Sequence, residues 1–346
     1  MKVKTVYVEI TNQCNLNCRT CYNRSGLNRE RRELSAARLE EILQVFLPYG
    51  LERFLLSGGE PTLHTEFDSV LDLVGKYPQI SFGVVTNGTN PNRKLAGYVN
   101  DGKMSLQISL DGSCEEENAK TRGPGNFEKT IAFARQIHNT KEPPLLKMVL
   151  SQQNRGDLEA FYRLARSIGF SPEFAFIYKS GNGTENWEGK ALTARQKLEA
   201  LRTIHRLNQE CGKEAFLPLC TMGCPFTKED SELSLCVKVD GDVQPCQTLY
   251  DGRFTLGNAL DFHPEAFAAN VEKLRALARR RLETDYGCKT CLLQEGCLRG
   301  CMAAAVCLCG DPLGDDGECE YRKLQFLGFD LQGMLKKHRA VGTGEE

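Results

Sequence analysis

Apolar and polar positions follow two periods through the first ~210 residues. Short apolar runs read as strands at Val3–Ile10, Arg53–Ser57, Ile80–Thr86, Met104–Leu110, Leu145–Ser151 and Glu173–Tyr178. Between them, apolar residues recur at helical spacing. One helix is expected after Ser35, a favoured N-cap type, with Leu39, Ile42, Leu43, Phe46 and Leu47 on one face. Others are expected over Glu66–Tyr77, Asn92–Val99, Asn126–His138, Asp157–Ile168 and Thr193–Asn208. Strands and helices that alternate six times predict an α/β fold with a parallel sheet and right-handed crossovers. Six units rather than eight predict an open, partial (β/α)6 TIM-like barrel.

Polar motifs fall at the ends of these strands. Strand one leads into Cys14-Asn-Leu-Asn-Cys18-Arg-Thr-Cys21, and strand two into Ser57-Gly58-Gly59-Glu60-Pro61. Strand three ends in Thr86-Asn87-Gly88, and strand four in Ser109-Leu110-Asp111-Gly112. Strands five and six run into Ser151-Gln152-Gln153-Asn154 and Lys179-Ser180-Gly181-Asn182-Gly183. In a parallel barrel all six gather at one mouth, the C-terminal face of the strands.

Beyond residue ~210 the periodicity gives way to loops dense in cysteine. Val237–Val243 reads as a hairpin with Asp240-Gly241 as a two-residue turn. A helix is expected over Pro264–Leu282, followed by Cys288, Cys291, Cys297, Cys301 and Cys319. The expected division is a barrel over 1–212, a cysteine-rich domain over 213–335 and a fraying tail over 336–346.

Composition narrows the chemistry. Hydrophobic residues make up 41 % and the net charge is −1 with mixed signs, so no nucleic-acid footprint is visible. No signal peptide and no membrane-length apolar run is present, which predicts a cytoplasmic protein. The chain nevertheless holds 16 cysteines. In a reducing compartment, clustered cysteines read as metal or cluster ligands rather than disulfides. Cys14, Cys18 and Cys21 form C-x3-C-x2-C with no close fourth ligand and no nearby His. Zinc prefers four ligands, often as two close pairs. Three thiolates instead suit a cubane with one iron left open.

This motif, with the aromatic Tyr22 after it, resembles the radical S-adenosylmethionine (SAM) superfamily. The partial barrel is that family's fold, and the resemblance spans residues 1 to about 190. It implies that SAM chelates the open iron of a 4Fe–4S cluster. Reductive cleavage then gives a 5′-deoxyadenosyl radical, which abstracts a substrate hydrogen. Gly58-Gly59-Glu60-Pro61 matches the family's GGEP motif at the SAM ammonium. Ser109 and Arg122 would meet the carboxylate, a solvated loop charge being the other reading of Arg122, and Asn87 and Gly88 would sit near the ribose or substrate, a plain strand-end turn being nearly as strong a reading. Tyr22 would contact the adenine through its backbone. Met148 and Leu150 read more simply as core, and Asp111 as a mouth carboxylate or a structural acceptor.

Cys288-x2-Cys291-x5-Cys297-x3-Cys301, then Cys319, resembles the SPASM domain of peptide-modifying radical SAM enzymes, as does Gly241-x4-Cys246. The resemblance implies two auxiliary 4Fe–4S clusters, three in all with the SAM-binding one. Cys288, Cys291, Cys297 and Cys319 would hold the distal cluster, and Cys246 and Cys301 part of the proximal one. Two more proximal ligands come from Cys220, Cys224 and Cys236. The hairpin favours Cys236, spacing leans to Cys224, and Cys220 remains a rival. Cys114, Cys211, Cys307 and Cys309 read as buried spectator thiols, with Cys307 and Cys309 close enough to the distal ligands to exchange with one.

The implied function is modification of a peptide or protein by crosslinking or oxidation, with a flavodoxin- or ferredoxin-type reductant. Strand one starts almost at Met1, so a separate leader-binding protein, a docking surface or a leaderless substrate is expected. Two enzyme alternatives stay open. One is small-molecule or heme-pathway chemistry. The other is anaerobic sulfatase maturation, weakened by Gln247 where an Asp base would follow Cys246. An iron–sulfur electron carrier would explain the cysteines but not the GGEP motif. No general base can be named.

Overall fold

Nine strands form one sheet in the order β6-β5-β4-β3-β2-β1-β7-β8-β9 in the computed structural model, which describes residues 1–26, 30–138, 140, 142–212, 223–284, 288 and 290–326. β1 (Lys2–Thr11), β2 (Arg53–Gly58), β3 (Ser81–Thr86), β4 (Met104–Ser109), β5 (Leu145–Leu150) and β6 (Ser171–Phe176) pair in parallel, each with its neighbour in sequence. Helices separate them, as the alternating pattern requires. The strands bring Tyr7 of β1 and Glu173 of β6 to the wall of one cavity, so the parallel part is curled into an open barrel. No helix of the described residues is long and apolar enough to cross a membrane.

Local sequence explains most element ends. Ser35 caps helix Ala36–Phe46 by accepting the Arg38 N–H at 3.3 Å, and Leu39, Ile42, Leu43 and Phe46 are buried against the sheet. Helix Ala194–Cys211 opens with a Thr193/Gln196 capping box. The expected helix over Glu66–Tyr77 is broken at Asp72 into Phe67–Leu71 and Leu73–Lys76. The expected helix to His138 stops at Ala134, after which Gln136 and Ile137 donate to carbonyls three residues back. β6 begins at Ser171, two residues earlier than expected. It is the edge strand, where Pro172 leaves no central ladder bond unmade.

The cysteine-rich half is joined to the same sheet. β7 (Glu232–Val237) lies parallel to β1, and β8 (Asp242–Gln244) and β9 (Gly257–Asn258) follow antiparallel. The hairpin turn differs from expectation. Lys238 N–H donates to Asp242 O at 2.9 Å, leaving a three-residue loop, Val239-Asp240-Gly241, with Gly241 at φ 89°. This moves the register by one residue, so Cys236 pairs with Gln244, and Cys246 lies diagonally beyond it on the same face. Helix Pro264–Glu283 docks on the barrel through rings: Phe46 to Phe267 at 6.3 Å and Tyr49 to Phe267 at 5.6 Å.

Candidate active site

The loop bearing Cys14, Cys18 and Cys21 is gripped by backbone on two sides. On one side, Gly59 N–H donates to Thr11 O at 2.8 Å and Glu60 N–H to Gln13 O at 2.7 Å. A side chain at position 58 or 59 would run into the Thr11 or Gln13 carbonyl, so these glycines allow the two backbones to meet. On the other side, Asn182 donates from its backbone to Cys21 O at 2.8 Å and from its amide to Cys18 O at 2.9 Å. Ser180 donates to the Tyr22 carbonyl at 3.0 Å. The motif after β6 therefore supports the cysteine loop rather than lining the site. The motif after β5 acts similarly: buried Asn154 donates to the carbonyls of Asp111 and Val149, both at 3.0 Å.

A cavity of about 370 Å³ lies inside the barrel mouth. Cys14, Cys18, Cys21, Tyr22, Gly58, Gly59, Glu60, Asn87, Ser109 and Arg122 all line it. Glu60 is buried, and protein donors surround its carboxylate. Oε1 accepts from Thr62 Oγ1 at 2.7 Å and Thr86 Oγ1 at 2.6 Å, and Oε2 from the Asn87 N–H at 2.7 Å. Burial pushes its pKa up while those hydrogen bonds pull it back. Glu60 thus fixes the β3 turn so that Asn87 faces Cys14. The Asn87 amide donates to Asn15 Oδ1 at 2.9 Å and stands 4.0 Å from the Cys14 sulfur.

Arg122 ends a helix, Glu115–Arg122, that apolar periodicity does not reveal. Its guanidinium pairs with buried Asp111 at 3.0 Å and stands 3.9 Å from the Cys18 sulfur. Asp111 also accepts the Val149 N–H at 2.9 Å and the Thr121 hydroxyl at 3.0 Å, which makes it the structural acceptor. Burial raises the Cys14 thiol to about 12 and Cys18 to about 11, the latter moderated by Arg122. Such thiols ionise only against a bound cation. They fit a metal cluster far better than free thiolates.

The same cavity exposes residues that the motifs do not flag, Tyr7, Gln107, Lys147, Glu173 and Tyr178, together with Gln247 after Cys246. Lys147 and Glu173 pair at 3.0 Å on neighbouring strands. Their signal in the sequence is a polar residue inside an apolar strand, in phase with the other inward positions: Gln107 with Ser109, Lys147 with Val149, Glu173 with Ala175. Met148 and Leu150 alternate outward and are fully buried core.

A second group of cysteines stands beyond Tyr178. Cys224 is within electrostatic reach of Cys246 and Cys301, and Cys236 of Cys246. Burial raises Cys224 to about 12 and pushes Cys236 up as well. Tyr178 hydrogen-bonds Cys301. The Tyr250 hydroxyl lies 3.6 Å from Cys236 and donates to Glu9 at 2.5 Å, while its ring packs 5.9 Å from Tyr22. Cys220 lies outside the described residues, as does the tail. Farther out, Cys288 lies within electrostatic reach of Cys319, and Cys291 N–H donates to Cys288 O at 3.0 Å. Cys297 follows one short helical turn later. Among the described residues no group of three His, Cys, Asp or Glu is placed to hold a single metal ion.

The remaining cysteines differ from expectation. Cys114, Cys211 and Cys309 are exposed rather than buried, the first two because they flank or end surface helices. Cys307 stands beside Cys246 and Cys301, not among the distal ligands, because helix Met302–Cys309 carries it back toward Thr248.

Residues 8–165 match the family model of the radical SAM superfamily. The chain carries a radical SAM domain. Over 325 residues it is 27 % identical to mycofactocin maturase MftC of Mycolicibacterium smegmatis, spanning 90 % of this chain and 81 % of that protein. It is 25 % identical over 341 residues to the AdoMet-dependent heme synthase of Methanosarcina barkeri, covering 91 % and 95 % of the two. Among solved structures, anSMEcpe with bound AdoMet and the Kp18Cys peptide superposes with a TM-score of 0.74. It is 18 % identical and covers 97 % of this chain and 100 % of that one. The chain shares the fold of anSMEcpe, with a cysteine-rich C-terminal region in place.

Proposed function

We propose that the chain binds SAM at a 4Fe–4S cluster held by Cys14, Cys18 and Cys21 and modifies a peptide or protein. One observation carries this: three half-buried thiols and every expected SAM-contacting residue share the wall of a single cavity. When bound, the cluster and SAM would supply one electron and a carbon-centred radical.

The chain's own residues bind and orient. Arg122 keeps one face on Asp111 and offers the other to a carboxylate beside Cys18. Gly58 and Gly59 present bare backbone. Val149, Ala175 and Phe176 give a flat ring an apolar wall. Tyr178, Gln247 and Thr248 close the side toward the second cysteine group and exclude water there. Cys224, Cys236, Cys246 and Cys301 would hold a proximal auxiliary cluster, and Cys288, Cys291, Cys297 and Cys319 a distal one. The barrel over 1–212, the SPASM domain over 213–335 and the tail over 336–346 are part of the same proposal.

The peptide class is supported by the maturase relative and by the peptide held in the anSMEcpe structure. A cytoplasmic location, a flavodoxin-type reductant and a separate leader-binding protein complete the scheme. Heme-pathway chemistry is a second reading, favoured by the 25 % identical heme synthase. Anaerobic reconstitution followed by mass spectrometry decides between them. A SAM-dependent mass change on a candidate peptide supports the first reading. A change confined to a porphyrin supports the second.

A further inference from the structure

The cysteine-rich half buries arginines as well as thiols. Arg281 is 1 % exposed, although it sits near the end of a surface helix. Its guanidinium donates to three backbone carbonyls: Pro312 at 2.7 Å, Gly314 at 2.6 Å and Arg299 at 2.9 Å. Its Nε is buried and finds no hydrogen-bond partner among the described residues. No carboxylate is in contact with it there. The acid within electrostatic reach, Asp316, is gripped at both oxygens by Arg322 at 2.7 Å and accepts the Cys301 N–H at 2.8 Å.

A buried guanidinium held only by carbonyl dipoles is costly. Arg299 stands beside it and repels it. Besides Asp316, which Arg322 neutralises, the groups nearby that can carry negative charge are Cys224 and Cys301, both within electrostatic reach of Arg281. They come from distant parts of the chain, and both belong to the proximal set.

We propose that Arg281 is the buried countercharge of the proximal cysteine set and holds up the reduction potential of the group bound there. This rests on the reading of that set as an iron–sulfur site. A cubane on four thiolates is an anion, and reduction adds one more negative charge. A fixed cation stabilises the reduced form more than the oxidised form, and so raises the potential. Arg281 is thus a positioning and tuning residue.

The test uses the full, anaerobically reconstituted chain and an EPR-monitored redox titration. The proximal transition is the one lost in a C224A/C246A variant. Arg281→Gln keeps amide donors for the carbonyls but removes the charge. Arg281→Lys keeps the charge. With R281Q, the ratio of reduced to oxidised proximal cluster at fixed ambient potential should fall about tenfold, equivalent to about 59 mV for one electron. R281K should stay within about threefold of the parent, and the distal transition should not move. An unchanged proximal ratio in R281Q with full iron content overturns the proposal. Equal loss of proximal iron from R281Q and R281K also overturns it, because the side chain is then a scaffold. If C224A/C246A loses no iron, the cluster reading itself fails instead.

Discussion

The Arg122 guanidinium stands 3.9 Å from the Cys18 sulfur, on the wall of the cavity. Its other face is tied to buried Asp111 at 3.0 Å. Arg122→Met should therefore do two separable things. It should destabilise the protein by about 3 kcal/mol, because Asp111 is left buried and unpaired. It should also weaken SAM binding. Adding Asp111→Asn should recover most of the stability and none of the affinity. Thermal unfolding and equilibrium binding of SAM read the two effects independently.

Gly181 touches the cysteine loop from the far side. It adopts φ +58°, and a methyl group there would collide with the carbonyls of Cys21 and Tyr22. Gly181→Ala should displace the loop and reduce iron at the first site. Gly189 adopts φ +69° in open space. Gly189→Ala should lose only the left-handed backbone penalty of about 1–2 kcal/mol and keep its iron. Iron analysis of the two variants checks the contrast.

Five described cysteines surround the proximal site, and the structure separates them. Cys224→Ser should lose one cluster, about four irons. Cys307→Ser should lose none, because its thiol is directed to the Thr248 carbonyl at 3.6 Å. Iron counting with absorption spectra distinguishes them.

Residue chemistry made the core of the site legible early. The cysteine triad, the paired glycines, Glu60, Asn87, Ser109 and Arg122 all converge on one cavity. Strand ends in the barrel agree closely because apolar runs there are bounded by sharp turns. What escaped had weaker local signals. Helix Glu115–Arg122 has no apolar face. Its mark is charge, three acids in the first turn and two bases in the last, which matches the helix dipole. Asp-Gly permits a two-residue hairpin turn, while Asn258 Oδ1 accepts the Leu260 N–H beside Gly241 in the longer loop that forms. The buried arginines were invisible, since only tertiary packing separates Arg281 from the other arginines of its helix. Glu60 lines the cavity, and its carboxylate is held by hydrogen bonds from Thr62, Thr86 and Asn87.

Reductive cleavage of SAM by the full reconstituted chain, compared with a variant carrying Cys14→Ala, Cys18→Ala and Cys21→Ala, tests the central claim most directly. The parent should convert SAM to 5′-deoxyadenosine and methionine under a strong reductant. The triple variant should form none while retaining about eight irons on its two other clusters. Formation of 5′-deoxyadenosine by the triple variant, or zinc in place of iron at that site in the parent, would contradict it.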